Sequence, residues 1–390
     1  MSAKLSSHPT LTPNLNTTLR PNATPTPNIT LARSLPHLPT SSLPTITPLD
    51  LFLEQLHTDH AETRVDAMRR LFVVAHAIGR EQTLTDLLPF LANHIRTSAQ
   101  ECVQSSGAAA VPTGLAEDDE ILLILAEQLG ELVVCGLVPG YRALMVLEIL
   151  EQLCGVEETV VREKATESVR AIIPLLLVDR MTVKGKEEEE ARLSCVQKAP
   201  GALVGLVKRL ANAEWFTAKI SACAILPNVY QFLNAVKSPH LSVGGDKEHS
   251  VPVQDTKADL RNLYKTLCEE DAPMVRRGAA KHLGRYVEAV AGLPYGKKGA
   301  TGQPLAKELV LPGGKDESLI HKKVNTAIKN IVLEEVVPLF QSLANDEQDS
   351  VRLLAVSSSG SVGISLGMEA DLCARVVLPV IMAGTSDLSW

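Results

Sequence analysis

The sequence predicts an all-α protein built as a solenoid of stacked helix pairs. Three observations predict it: a composition poor in aromatic residues, a phrase that recurs six times, and a repeat unit of about 40 residues. Hydrophobic residues make up 45% of the 390 residues, and aromatic residues only 3%. This balance suits helices packed on helices better than a β-sandwich, and the chain is long enough to bury a large core.

The recurring phrase has an acidic residue, a small or apolar residue four positions later, a cation at the next position in most copies, and an alanine three positions after that. The six copies begin at Asp59, Asp118, Glu157, Glu214, Asp271 and Glu347. The alanines of the six copies are Ala67, Ala126, Ala165, Ala222, Ala279 and Ala355. Alanine in every copy is hard to ascribe to chance and indicates an internal repeat.

The spacing of the acids predicts the architecture. The shortest interval between successive acids, from Asp118 to Glu157, sets the unit. Three of the other intervals are longer by about half a unit and one by nearly a whole unit. The longer intervals contain sequence that looks inserted, rich in Gly, Ser, Pro or charge, at 98–117, 180–198, 238–256 and 293–328. A unit of about 40 residues with two helices is typical of HEAT and armadillo repeats. We therefore predict a solenoid of HEAT repeats at 49–390 with these four pieces as inserted loops.

Each part of the phrase has an expected physical role. Segments before the acids, such as LMVLEILEQL and LRNLYKTL, repeat apolar residues three and four apart and predict the first helix of each pair. The acid is expected to cap the second helix with its carboxylate. The alanine is expected where two helices approach closely, because a larger side chain would overpack the contact. The cation is expected to reach an acid of the neighbouring repeat, which would form a ladder along the stack.

The last segment predicts an incomplete seventh repeat. The stretch DLCARVVLPVIMAG reads as a seventh first helix, and Asp387 supplies a seventh acid one unit after Glu347. The frame then requires its next buried residue beyond Trp390. We therefore expect six complete antiparallel helix pairs and one unpaired helix with an exposed apolar face, as in an array truncated within its seventh repeat.

The N-terminal segment, 1–48, differs from the rest in composition. It is rich in Thr, Pro, Ser and Asn, and the first acidic residue of the chain is Asp50. Such a segment buries too little apolar surface to fold, so a disordered tail is predicted at 1–48. The basic residues Lys4, Arg20 and Arg33 leave a mitochondrial transit peptide as the alternative, although many prolines make a poor amphipathic helix.

Composition argues against several classes of function. The net charge of −7 is opposite to that of most nucleic-acid-binding proteins. The seven cysteines are well separated and none forms a CxxC pair, so they indicate no metal site and suit core positions in a reducing compartment. No apolar run is long enough to span a membrane. We expect no cofactor, and location in the cytoplasm with the nucleus as a second compartment.

One formal catalytic motif occurs, at Gly363–Gly367, which matches the GxSxG of a nucleophile elbow. That motif requires a strand before the serine and an acid and a histidine downstream. No strand pattern precedes it and no histidine follows Ser365. The sequence therefore predicts a protein that is not an enzyme.

Several long segments resemble the scaffold A subunit of protein phosphatase 2A. They are LAEQLGEL (125–132), VEETVVREKATESVRAI (156–172), WFTAKISAC (215–223), DAPMVRRGAA (271–280) and NDEQDSVRLLAV (345–356). The resemblance extends from about Leu51 to Trp390 and implies a non-catalytic scaffold. In that family fifteen HEAT repeats form a horseshoe, with the regulatory (B-type) subunit on the N-terminal repeats and the catalytic subunit on the C-terminal ones. This chain resembles about the first six and a half repeats, so the resemblance implies regulatory-subunit binding without the platform for the catalytic subunit.

The resemblance also implies a protein-binding ridge formed by the turns within repeats. Its residues are Glu157, Glu158, Trp215, Phe216, Asp271, Pro273, Met274, Arg276, Arg277, Asp346, Glu347, Asp349 and Trp390. The residue types agree, since an aromatic side chain among carboxylates at a turn has the composition of a binding hot spot. The alternative is that Trp215 packs against the adjacent turn and the acids only cap helices.

A second class of binding protein shares the same gross features. Another HEAT or armadillo adaptor, such as a transport or assembly factor, would also be acidic, helical and without catalytic activity. Such transport factors carry ladders of Trp and Asn on their inner helices. This chain has only two tryptophans, Trp215 and Trp390, and neither lies in a predicted inner helix.

Overall fold

The computed structural model describes residues 46–95, 118–178, 186–236, 240–242, 250–293 and 326–387. All of them belong to one compact unit, Ile46–Trp390. The predicted tail up to residue 45, the stretch 98–117, parts of the other three inserted pieces, and Trp390 lie outside the described residues. In the described part, no helix is both long enough and apolar enough to cross a bilayer.

The described part is a two-layer stack of helix pairs with one short hairpin, which confirms the all-α solenoid. The helices are α1 (Pro48–Leu56), α2 (Ala61–Arg69), α3 (Leu71–Gln82), α4 (88–95), α5 (Asp119–Val134), α6 (Leu144–Leu153), α7 (Thr159–Ile172), α8 (Leu175–Val178), α9 (Lys186–Ala211), α10 (Phe216–Ala235), α11 (Val253–Cys268), α12 (Pro273–Val290), α13 (Thr326–Ile331), α14 (Val337–Ala344), α15 (Asp349–Ser357), α16 (Ser359–Ser365), α17 (Ala370–Leu372) and α18 (Leu378–Thr385). Strands β1 (His240–Ser242) and β2 (Ser250–Pro252) pair antiparallel, with Leu241 opposite Val251.

These elements form the predicted repeats. The first helices of repeats one to six are α1, α4, α6, α9, α11 and α14, and the second helices are α2 with α3, α5, α7, α10, α12, and α15 with α16. Gly79, whose φ is 83°, ends the second helix of repeat one inside the range of α3. Helices α17 and α18 follow as the first helix of a seventh repeat, and Leu378, Ile381 and Met382 are exposed there as expected.

The inserted pieces are more regular than a loop where the structure describes them. Residues 186–198 continue into α9, a single helix of 26 residues. The first turn of α9 contains Glu187, Glu188 and Glu189, and carboxylates are favoured at the positive end of the helix dipole. The Arg192 guanidinium pairs with Glu189 one turn before it, at 2.6 Å. Charge runs of this kind form solvated helices as readily as loops.

The alanine of the phrase is confirmed as a close-contact position, because all six alanines are fully buried. In repeats two and three the contact is direct: the Ser168 hydroxyl on α7 donates to the Ala126 carbonyl on α5 at 2.8 Å. One turn along α5, a Cβ added to Gly130 would lie 2.5 Å from the Ser168 Oγ. The second helices of repeats two and three are therefore close enough at this position for a side chain of α7 to contact the backbone of α5.

Enlarging one of these alanines is expected to destabilise the stack. Ala126→Leu would insert three carbon atoms between α5 and α7, and overpacking of this kind costs about 1–3 kcal/mol. The midpoint of urea unfolding, followed by circular dichroism, measures the loss. Ala77→Leu is the matched control, because Ala77 is exposed on α3; an equal shift in both variants would contradict the close-contact role.

Three first helices contain a widened π-helical segment that the sequence analysis did not predict. The segments are Thr83–Leu87, Val332–Val336 and Cys373–Val377. Each ends two residues before a proline, at Pro89, Pro338 and Pro379. Proline lacks an amide hydrogen, and its ring displaces the carbonyl four residues earlier. A local i→i+5 turn accommodates that displacement without ending the helix. Leucine also precedes Pro227 within α10, which has no such segment, so this dipeptide alone does not predict it.

The serine- and glycine-rich stretch of repeat six is helical but broken. Helix α15 ends at Ser357, and α16 begins after Ser358, whose φ and ψ are −84° and −2°. The small residues permit a close approach to α12: a Cβ added to Gly284 would lie 3.1 Å from the Ser361 Oγ. Ser361 also donates to the Glu288 carboxylate at 2.8 Å. The small residues that weaken this helix therefore also allow it to pack closely against α12.

The formal GxSxG stretch has no nucleophile geometry. Ser365 lies within α16 and has no exposed surface. No strand leads into it, since the hairpin β1–β2 belongs to repeats four and five. Its hydroxyl has no hydrogen-bond partner among the described residues. A buried helical serine of this kind cannot reach a substrate.

The partly buried ring of His282 on α12 makes stability depend on pH. Burial, with the nearby Lys281 charge, lowers the pKa of His282 from its ordinary 6.5 to about 4. Between those two values the unfolded chain binds a proton that the folded chain rejects, so stability falls as the pH falls. The loss is at most about 3 kcal/mol by pH 4. We expect the unfolding midpoint of His282→Gln to change less between pH 6.5 and pH 4 than that of the unmodified chain. An unchanged pH dependence of the midpoint would contradict this role.

Candidate protein-binding ridge

In four of the six repeats, the turn within the repeat is fixed by the cation of that repeat's own phrase. In repeat three, Arg162 Nη1 donates to the carbonyls of Val156 and Glu157 at 2.8 and 2.9 Å. The same pair of bonds recurs from Arg276 to Glu270 and Asp271, and from Arg352 to Asp346 and Glu347. Arg64 binds the Thr58 carbonyl at 2.9 Å in repeat one. The cation therefore closes the turn that carries the acid, a role the sequence analysis missed.

The cation also joins successive repeats, as predicted, from repeat four to repeat seven. Three ion pairs of 2.7 Å form the ladder: Lys219–Glu270, Arg276–Asp346 and Arg352–Asp387. All six side chains are at most 23% exposed. Ion pairs shielded from water in this way hold their geometry better than exposed ones. The turns of repeats four to seven are therefore fixed relative to one another.

The central pair of the ladder shifts the pKa values of both partners. Burial alone would raise the pKa of Asp346, but hydrogen bonds from Arg276 and from the Gln348 amide, with the Arg276 charge, lower it overall. The same hydrogen bond raises the pKa of Arg276. Both groups are thus held in their charged forms.

The predicted capping role of the acids is wrong for five of the six repeats. Only Asp118 is an N-cap residue, where its carboxylate accepts from the Glu120 and Ile121 amides. Elsewhere the acid lies one residue earlier, before N-cap residues His60, Glu158, Trp215, Ala272 and Gln348. At that position its carboxylate makes no capping hydrogen bond to the described helix amides. In four repeats the backbone before the helix instead accepts hydrogen bonds from the phrase arginine.

Large apolar side chains are exposed at three consecutive turns. Trp215, the N-cap residue of α10, is 67% exposed, and Phe216 beside it is 42% exposed. Met274 is 49% exposed in the first turn of α12. Val160 in the first turn of α7 is 55% exposed. Sequence reasoning missed Val160, although it occupies the register of Met274, three residues after the acid. Trp215 therefore does not pack into the adjacent turn, which was the alternative.

The other predicted ridge residues divide into exposed and internally engaged groups. The exposed ones are Glu157, Glu158, Asp271, Pro273, Arg277, Glu347 and Asp349. Arg276 and Asp346 are engaged with each other, with side chains 11% and 8% exposed, so they support the ridge from within. Trp390 lies outside the described residues.

The described residues contain no group of three or more side chains that could hold a metal ion. Five of the six described cysteines follow the predicted core role at least in part: Cys154, Cys195, Cys223 and Cys268 are buried, Cys373 is partly buried, and Cys135 is exposed. What the turns offer is a rigid line of apolar side chains among carboxylates. Such a surface can bind a protein.

Stacked helix pairs with a unit of about 40 residues and exposed intra-repeat turns define the class of HEAT-repeat solenoids. Curated proteins similar to this chain are subunits of protein phosphatase 2A. The 65 kDa regulatory A subunit (alpha isoform) of serine/threonine-protein phosphatase 2A from Arabidopsis thaliana is 34% identical over 244 residues, covering 62% of this chain and 32% of its own length. The regulatory A subunit of protein phosphatase PP2A from Schizosaccharomyces pombe is 28% identical over 343 residues, covering 88% of this chain and 42% of its own. The probable PP2A regulatory subunit from Caenorhabditis elegans is 28% identical over 319 residues, covering 82% of this chain and 38% of its own length.

This chain is therefore similar in sequence to the regulatory A subunits of protein phosphatase 2A, which confirms the resemblance seen in the sequence. It spans about a third to two fifths of the length of these relatives. No protein-family model matches it. Among solved structures, an engineered protein aligns with 80% of this chain and 98% of its own at 15% identity, but the TM-score of 0.33 is too low to bear on the fold.

Proposed function

We propose that this chain is a non-catalytic scaffold that binds a regulatory (B-type) subunit of protein phosphatase 2A through its intra-repeat turns. The observation that carries the proposal is the exposure of Trp215 on a turn flanked by Glu214 and Phe216. A tryptophan two-thirds exposed to water gains about 2 kcal/mol or more when a partner buries it in a fitted pocket. Its relatives' role as regulatory A subunits supplies the class of partner.

The ladder supports the proposal by making the surface rigid before binding. Lys219–Glu270 joins the turns of repeats four and five, and Arg276–Asp346 joins those of repeats five and six. A surface already fixed in its binding conformation loses little entropy on association, so more of the contact energy appears as affinity. Trp215, Phe216 and Met274 belong to this fixed part.

The chemistry of the turns favours a partner with a basic, partly apolar surface. Glu157, Glu158, Asp271 and Glu347 are exposed around the apolar side chains. Carboxylates at the rim of an apolar patch favour cationic partners and steer their approach. We propose that this chain does not bind the catalytic subunit, which the resemblance assigns to repeats beyond it, and that the protein acts in the cytoplasm and nucleus without a cofactor.

Amide hydrogen exchange with a purified B-type subunit tests which surface is used. We expect exchange to slow at 154–160, 212–217 and 269–275, which cover the turns within repeats three to five. The matched control is 134–143, the connection between repeats two and three, where no change is expected. Protection of 134–143 without protection of the turns would contradict the proposal and favour an adaptor of another kind.

A further inference from the structure

A row of cations follows one face of α12. Arg277, Lys281 and Arg285 recur every four residues, so they lie above one another on the helix surface. Arg277 and Lys281 are exposed, and Arg285 is partly exposed. Like charges at this spacing repel one another and destabilise a helix. A chain with a net charge of −7 nevertheless places three of them in line.

The row lies on the side of α12 that faces away from the first helices. Val275, Ala279 and Tyr286 of α12 are fully buried against the core. Lys281, in contrast, pairs with Glu163 of α7 at 3.0 Å, which joins repeat five to repeat three across the second helix of repeat four. Both side chains of this pair are more than half exposed, so an incoming anion can compete for Lys281.

The two arginines of the row have no such partner. Neither Arg277 nor Arg285 makes an ion pair or a side-chain hydrogen bond within the described part of the chain, whereas the ladder arginines Arg276 and Arg352 are fully engaged. Arginine offers a planar fork of donors that matches a carboxylate. Two unengaged forks are therefore available on this face.

An exposed apolar strip lies on the adjacent second helix. Leu353 of α15, Ile364 of α16 and Met368 after it are exposed. Helices α12 and α16 are in direct contact, because Ser361 donates to Glu288 at 2.8 Å. The cationic row and the apolar strip therefore belong to neighbouring helices of one layer. This combined surface, Arg277, Lys281 and Arg285 with Leu353, Ile364 and Met368, is called the second-helix face below.

We infer that the second-helix face binds an acidic peptide segment that carries aliphatic side chains. Residues four apart on a helix are separated by about 6 Å along its axis, and alternate residues of an extended peptide by about 6.6 Å. Glutamates at alternate positions of a bound segment thus match the spacing of the row, while aliphatic residues between or beside them cover the strip. Charge complementarity with the unengaged arginines selects this partner over a basic one. The inference goes beyond the proposed function, since it concerns helix faces and shares only Arg277 with the ridge of turns.

Fluorescence anisotropy of the full chain with three labelled peptides tests this inference. The first peptide alternates glutamate and leucine, the second alternates glutamate and serine, and the third alternates lysine and leucine. We expect the first to bind most tightly, with an affinity that falls as salt rises. Equal binding of the first and third peptides would overturn the inference, and equal binding of the first two would overturn its apolar part.

Charge reversal locates the site. Arg285→Glu is expected to weaken the first peptide about tenfold, a change of about 1.4 kcal/mol. Arg142→Glu is the matched control, because Arg142 is exposed on another surface, before α6. Ile364→Ser tests the apolar strip against Val73→Ser, which alters an exposed valine on α3. Circular dichroism verifies that each variant is folded. Unchanged affinity in folded Arg285→Glu and Ile364→Ser would overturn the inference, whereas binding of the regulatory subunit is expected to be unaffected by Arg285→Glu.

Discussion

Arg276→Ala is expected to lower the free energy of unfolding by about 3 kcal/mol, the scale found when one partner of a shielded ion pair is removed. The substitution leaves the Asp346 carboxylate, 8% exposed, without its cation. It also removes two hydrogen bonds that close the turn of repeat five, from Nη1 to the carbonyls of Glu270 and Asp271. Urea unfolding followed by circular dichroism measures the change.

Arg69→Ala is the matched control for this experiment. Arg69 joins repeats one and two through a 2.6 Å pair with Glu120, but both side chains are more than half exposed. Exposed pairs contribute about 1 kcal/mol or less. If the two variants lose the same small amount of stability, shielding of the ladder does not matter and the account of a rigid ridge is wrong.

The ladder also predicts how the stabilising effect of Arg276 changes with pH. Because the pKa of Asp346 is lowered in the folded chain, its contribution is complete above the carboxyl's ordinary range and is lost as the pH falls through the lowered pKa. Arg276→Ala should therefore cost most at neutral pH and least in strong acid.

Trp215→Ala is expected to weaken binding of the regulatory subunit by about 2 kcal/mol, or about 30-fold. The reason is that this side chain is two-thirds exposed in the free chain and has a fixed position at the N-cap of α10. Since few of its contacts lie within the chain, the variant should fold with nearly unchanged stability. Isothermal titration calorimetry measures the affinity.

Val73→Ala is the matched control for Trp215→Ala. Val73 is comparably exposed, at 64%, but lies on α3 away from the turns of repeats three to five. Its replacement is expected to leave the affinity unchanged. A folded Trp215→Ala chain with normal affinity would remove Trp215 from the binding surface.

The predictions from sequence succeeded where a local pattern determines the structure. The alanine register required no knowledge of the neighbouring helix, since only a small residue repeated at that position, and all six alanines are buried. The ladder could be predicted because a long cation one turn into a helix can reach the next repeat. Two of its three acidic partners, Glu270 and Asp346, lie one residue before the acids of the phrase, and only the fold shows that offset.

The predictions from sequence failed where tertiary packing, or a shift of one residue along the chain, determines the contacts of a side chain. Side-chain capping depends on the position of the residue, so Asp118 at the N-cap of α5 accepts amide hydrogen bonds while the acids one residue earlier do not. Serines and glycines such as those of repeat six weaken an isolated helix, and their packing against Gly284 of α12 cannot be seen in one segment alone. The π-helical segments each precede a proline, at Pro89, Pro338 and Pro379, but Pro227 within α10 has none, so proline alone does not predict them.

Binding of the purified chain to a B-type regulatory subunit, measured by calorimetry beside a separate titration with the catalytic subunit, tests the central claim most directly. We predict that the regulatory subunit binds and that the catalytic subunit does not. Failure of a folded chain to bind the regulatory subunit, or binding of the catalytic subunit alone, would contradict the assignment of these turns to regulatory-subunit binding.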